Sequence, residues 1–126
     1  MGPQVSILFD TNIFIDAANG HEIAKRALLS AEDAALSRIS WIEVLAGGKS
    51  EKERDLLRQF LSVWPVIELD ALVAEAVVII RRETRLKLPD AVLLATARVH
   101  GRKLHTRNTK DFPARWPEIV VPYRLS

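Results

Sequence analysis

The sequence predicts an α/β domain, an open and mostly parallel sheet with helices on both faces. Three observations carry that expectation. Short apolar runs of strand formers ("VSILF", "AALS", "WPVIEL", "KLHT", "EIVVPY") alternate with longer segments whose apolar residues recur at helical spacing. The helical segments stand between successive strands, where parallel strands need their crossovers. Asn19-Gly20, Gly47-Gly48 and Gly101 end three of those segments, as helix stops do.

Taken in order, "VSILF" (5–9) forms a first strand that stops at the polar triplet Asp10, Thr11, Asn12, and "IFIDAANG" makes a short helix. "HEIAKRALLSAEDA" places Ile23, Ala24, Ala27 and Leu28 at helical spacing before the short strand "AALS" and the helix "SRISWIEVLAGG". "SEKERDLLRQFLSV" presents Leu56, Leu57, Phe60 and Leu61 on one face behind a charged first turn, and "WPVIEL" is extended. Asp70 is placed to cap "ALVAEAVVIIRRETR", with a stripe of Leu72, Val73, Ala76, Val77 and Ile80. Pro89 opens the helix "DAVLLATARVHG", and "KLHT" and "EIVVPY" are the last strands. There is no internal repeat, low-complexity tract or linker, so residues 1–126 read as one domain.

Composition narrows the function. A hydrophobic fraction of 48% with 27% charged residues is that of a globular chain, and the lack of cysteine excludes disulfides and thiolate metal sites. No basic segment precedes an apolar leader and no apolar run approaches the roughly 20 residues of a membrane span, so a cytoplasmic protein is expected. Residues 1–80 carry 7 Lys/Arg against 12 Asp/Glu, whereas residues 81–126 carry 11 against 4. An acidic cluster beside a basic surface suits a metal-dependent enzyme acting on a phosphodiester backbone, although uneven charge in a short chain also arises by chance.

In open α/β sheets functional groups gather at the carboxyl ends of strands. Asp10 follows the first strand and belongs at that edge, but as a helix N-cap it needs no further role, and this stretch leaves both readings open. Asp90 shares a helix face with Leu93, Leu94 and Ala97, unusual for a first-turn acid that only answers the helix dipole. Glu43 sits inside "WIEVLAG" and Asp111 in "TRNTKDF", where a solvated helix position and an ordinary turn residue are the plain alternatives. Together these four acids can meet at one sheet edge. Crowded carboxylates repel, and protonation or a bound cation relieves them; an all-oxygen set favours Mg²⁺ or Mn²⁺, which activates water for attack on a phosphodiester. The three histidines are too scattered for a zinc site, and no phosphate loop or nucleophile elbow is present. Asp16 is a further candidate for the site, with a place on a helix surface the expectation for it. The basic residues Arg81, Arg82, Arg85 and Lys87 surround a helix end and are read as dipole matching, whereas Arg102, Lys103, Arg107 and Lys110 are the expected phosphate contacts. Trp41, Trp64 and Trp116 are read as core or interface anchors.

The four blocks "LFDTNIFID", "WIEVLAG", "LKLPDAVLLATARVHG" and "LHTRNTKDF" resemble, in order and spacing, PIN-domain ribonucleases of the VapC toxin type. The resemblance covers nearly the whole chain. It implies a three-layer α/β/α sandwich and an acidic Mg²⁺ or Mn²⁺ site that hydrolyses RNA. By position Asp10, Glu43 and Asp90 match the three core acids. The fourth place varies in the family between the positions of Asn108 and Asp111, with Asp111 the choice here and Asn108 a polar contributor. Thr11 and Thr106 match hydroxyl positions that orient a carboxylate, a water or a phosphate. Such toxins are typically homodimers neutralised by a cognate antitoxin, and the pair reaches operator DNA through the antitoxin. Two rivals stand beside this reading: a non-cleaving PIN module partnering a DNA-binding repressor, and an aspartyl phosphotransferase using Asp10, which Asn12 disfavours because the commonest such motif has Asp there.

Overall fold

The computed structural model describes residues 5–125; the outer ends of the expected 1–126 domain lie outside them. Eleven elements follow one another: β1 (Ser6–Phe9), α1 (Thr11–Ala18), α2 (Glu22–Ser30), β2 (Asp33–Ser37), α3 (Arg38–Ala46), α4 (Glu51–Leu61), β3 (Val66–Ile67), α5 (Ala71–Glu83), α6 (Leu88–Val99), β4 (Lys103–His105) and β5 (Ile119–Val120). The strands form one sheet in the order β3-β2-β1-β4-β5, and every pairing is parallel. The register sets Leu8 opposite Ala35 and Leu104, and Phe9 opposite His105.

Strand alternation divides the core into two layers. Ile7, Phe9, Ala34 and Leu36 face α1 to α4 and meet Ile13, Phe14, Leu28, Val44 and Leu61. Leu8, Ala35 and Leu104 face α5 and α6 and meet Val73, Val77, Ile80, Leu93 and Leu94. Leu8, Leu93, Leu94 and Leu104 are fully buried, each contributing about 1.5–3 kcal/mol of apolar transfer. α3, α4 and α5 start where short polar side chains receive backbone N–H groups: Ser37 from Ile39, Ser50 from Glu53, and Asp70 from Val73 at 2.9 Å. Gly20 and Gly101 follow α1 and α6 with positive φ, the left-handed turn that glycine enters without a Cβ penalty.

Two expected stripes are narrower than the spacing implies. α5 packs through Val73, Val77 and Ile80, leaving Leu72 at the helix start exposed. α4 buries only Leu61 fully, so Leu56 is exposed and Leu57 and Phe60 are half-buried beside an open groove.

Because β1 lies mid-sheet, the chain fills one side (β2, β3) and then crosses to the other (β4, β5). The strand order therefore reverses between β1 and β4, and ligands of open α/β sheets bind outside the carboxyl ends at such a point. No helix among the described residues is long and apolar enough to cross a membrane.

Candidate metal centre at the carboxyl edge of the sheet

Asp10 closes β1 at the reversal point. Its N–H donates to the His105 carbonyl at 2.9 Å, and Thr106 after β4 donates through Oγ1 to Asp10 Oδ2 at 2.6 Å. Asp10 stands at the N-cap of α1, but its carboxylate makes no side-chain capping bond to that helix and is held by Thr106 instead. Thr106 Oγ1 also accepts the Asn108 N–H at 2.9 Å, tying the next loop to the same hydroxyl. Burial pushes the Asp10 carboxyl up to about 6; the Thr106 bond opposes the rise, and the nearby charges of Asp90 and Glu43 add to it.

The other acids arrive on three further segments. Glu43, exposed on α3, accepts from Thr11 Oγ1 at 2.8 Å, and Thr11 shares a second 2.8 Å bond with buried Ser40. A threonine hydroxyl has one proton, so with Thr11 donating to Glu43, Ser40 is the donor to Thr11. Asp90 is half-buried in the first turn of α6; burial raises its pKa first, then the charges of Asp111 and Glu43, while Lys87 draws it down. Asp111 and Asn108 hold each other: Asn108 Nδ2 donates to Asp111 Oδ2 at 3.0 Å, and the Asp111 N–H donates to Asn108 Oδ1 at 3.2 Å.

The fold thus brings Asp10, Glu43, Asp90 and Asp111 into one electrostatic neighbourhood with Thr11, Thr106 and Asn108 as their hydrogen-bond partners. None of the four takes part in an ion pair among the described residues. They do not close into a cage: no three His, Asp or Glu side chains of the described residues are gathered to hold a metal ion. Asn12 Oδ1, next to this cluster in sequence, is buried without a hydrogen-bond partner.

The expected basic contacts separate. Arg102 donates to the Ile7 and Asp33 carbonyls at 3.1 Å and pairs with Asp33, at the amino edge of the sheet and away from the acids. Lys103 opens β4 at that edge and donates to the Pro117 carbonyl at 2.8 Å. Arg107 is engaged by Asp16 through Nε at 2.6 Å and Nη2 at 2.9 Å. Of these four, Lys110 alone, exposed beside Asp111, has no ion-pair or hydrogen-bond partner among the described residues.

Asp16 is buried, against the surface position expected for it, and Tyr123 also donates to its Oδ2 at 2.6 Å. Burial alone would raise the Asp16 pKa, but the bonds from Arg107 and Tyr123 outweigh it and hold the carboxyl below its ordinary value. The signal was in the sequence: Asp16 lies three residues after Ile13, on the buried side of α1.

A family model for the PIN domain matches residues 7–115. The chain belongs to the PIN-domain family. Within it the chain is similar, at 45% identity over 95% of its length and 100% of the other chain, to a chain of a toxin-antitoxin complex from Klebsiella pneumoniae, with a TM-score of 0.87. FitAcB from Neisseria gonorrhoeae is 25% identical over 94% of this chain and 99% of that one, TM-score 0.76. DNA-bound VapBC from Salmonella typhimurium is 25% identical over 92% and 96%, TM-score 0.74. Among curated proteins none matches the chain. The likeness to VapC-type PIN toxins expected from the four sequence blocks is borne out.

Proposed function

We propose that this PIN domain is a VapC-type toxin that hydrolyses RNA phosphodiester bonds as a Mg²⁺- or Mn²⁺-dependent endoribonuclease and is neutralised by a cognate antitoxin. The observation that carries the reading is the set of four carboxylates around the strand-order reversal, none in an ion pair among the described residues, with Asp10 and Asp90 both raised in pKa. Keeping such groups together costs folding stability, and a binding role explains their retention.

The residues fit a hard divalent ion. The donors are all oxygen, and Mg²⁺ commonly uses one or two carboxylates while retaining waters, so a closed cage of three is not required. Asp10 and Asp90 would hold the ion, with Glu43 and Asp111 completing the charge around it. When bound, the ion lowers the pKa of a water and neutralises charge on the scissile phosphate.

The chain's own part is orientation. Thr106 fixes one oxygen of Asp10, Thr11 fixes one of Glu43, and Asn108 fixes one of Asp111, so three of the four carboxylates enter the site with a defined geometry. What supports an antitoxin partner is the similarity to chains of toxin-antitoxin complexes together with the groove of about 600 Å³ that runs from Glu43 past Leu56, Leu57 and Phe60. The family resemblance, with Leu72, Val78 and Ile79 uncovered on α5, supports a homodimer, and operator DNA would be reached through the antitoxin.

The test is cleavage of single-stranded RNA by purified protein with Mg²⁺ or Mn²⁺. Wild type should cut, and Asp10→Asn and Asp90→Asn should each lose roughly a hundredfold or more, beyond what loss of a residue that only supports a ligand costs. Variants that cut as fast as wild type would show the site to be elsewhere. A wild type that binds its antitoxin but cuts no RNA would leave the non-cleaving partner module as the reading.

A further inference from the structure

We propose that a second cleft, beside Asp111, is a subsite for one unstacked nucleotide of single-stranded RNA, with Arg85 and Lys110 holding phosphate and Trp116 stacking on the base. The proposal rests on the ribonuclease reading above and names where its substrate lies. The cleft has a volume of about 340 Å³ and is walled by Thr84, Arg85, Lys110, Asp111 and Trp116, so it opens directly onto one of the four acids. That volume is at the small end of ligand pockets, which span roughly 300–1,000 Å³.

The cations here differ from the chain's other candidates. Arg102 and Arg107 are committed to Asp33 and Asp16, and Arg98 to Glu118. Arg85, Lys87 and Lys110 are exposed and take part in no ion pair among the described residues. Arg85 and Lys110 share the cleft with Asp111, and Lys87, at the cap of α6, acts on Asp90 next to it. Glu83 and Asp111 line the same cleft as pure acceptors that disfavour phosphate, and Arg85 and Lys110 offset them.

The tryptophans separate in the same way. Trp64 is buried and Trp41 lies under the Arg38 guanidinium at 4.9 Å. Trp116 is half-buried, with one part against the α5–α6 core layer and another lining the cleft. An aromatic face beside free cations is what a splayed base and its phosphate need, and every base offers a face to stack.

Steady-state cleavage of a short mixed-sequence single-stranded RNA with Mn²⁺, at several salt concentrations, tests the subsite. Arg85→Ala and Lys110→Ala should each raise KM roughly three- to tenfold, leave kcat within about twofold, and flatten the log–log salt dependence by about 0.7. Arg26→Ala, an exposed cation on α2, should behave as wild type. Trp116→Leu should raise KM more than Trp116→Phe, which keeps a ring; circular dichroism melts show whether either variant has lost its fold. A wild type that neither binds nor cuts the RNA overturns the ribonuclease reading and the subsite with it. A wild type that cuts, with Arg85→Ala and Lys110→Ala matching Arg26→Ala in KM and salt dependence, overturns the subsite alone.

Discussion

The two edges of the sheet treat their acids in opposite ways. At the amino edge Asp33 is bonded by Ser6 and paired with Arg102, and these contacts hold its carboxyl below the ordinary value. At the carboxyl edge Asp10 is buried with no cation to pair it among the described residues, and burial drives its carboxyl up to about 6 against the Thr106 bond. Asp16, on α1 one layer away, sides with Asp33: Arg107 and Tyr123 satisfy it. The same protein thus neutralises its structural acids internally and leaves one cluster bare. A fold under pressure for stability alone would have paired that cluster or replaced it, and the proposed metal centre rests on that contrast.

The largest way to break the contrast is to neutralise each class in turn. Asp10→Asn should abolish measurable RNA cleavage while the metal-free protein melts at the same temperature or higher at pH 7.5, because the lost charge was unfavourable. Its scale follows from pH. Asp10 is raised in the fold, so metal-free stability falls as pH rises from about 4 to 6 and stays lower above that, by up to about 3 kcal/mol. Asp16 and Asp33 are lowered, so their contribution is present above about pH 4 and is lost on further acidification. Urea titrations of wild type and Asp10→Asn between pH 4 and 8 should show a steep decline between pH 4 and 6 in the first and only the smaller one left by the raised Asp90 in the second.

Asp16→Ala is the converse experiment. It leaves Tyr123 and a half-buried Arg107 without their acceptor, and should cost about 2–3 kcal/mol in denaturant unfolding. Because Arg107 adjoins Thr106, cleavage should also weaken, though far less than with Asp10→Asn. Asp33→Asn should have the smallest effect, a slight fall in melting temperature with unchanged cleavage, since Asp33 is open to solvent and remote from the carboxyl edge.

Much of this was legible in the sequence because its periodicities are strong. The apolar run ending at Asp10 made β1, and the unbroken burial of Ala91–Ala97 makes α6 the helix that β4 follows. The acids at the carboxyl edge followed from one rule about strand ends. The same rule, applied to residues before a strand, puts Arg102 and Lys103 at the opposite edge, as the structure shows. The helical period that singled out Asp90 also placed Asp16 beside Ile13 on the buried side of α1. What the period could not supply was stripe width, which depends on how neighbouring elements overlap; Leu56 and Leu72 have the spacing of core residues but extend beyond the helices that would cover them. Nor could spacing tell which cations are already bound, so Arg85 emerges only once Arg102 and Arg107 are seen to be committed.

Calorimetric titration of the protein with Mn²⁺ at pH 7.5 tests most directly whether the bare cluster is kept for a cation. Wild type should bind, Asp10→Asn should bind at least about tenfold more weakly, and wild-type affinity should fall as pH drops through about 6, where Asp10 takes up its proton. Wild type giving no binding heat, or Asp10→Asn giving the wild-type isotherm, would contradict the assignment of the carboxyl edge as a metal centre.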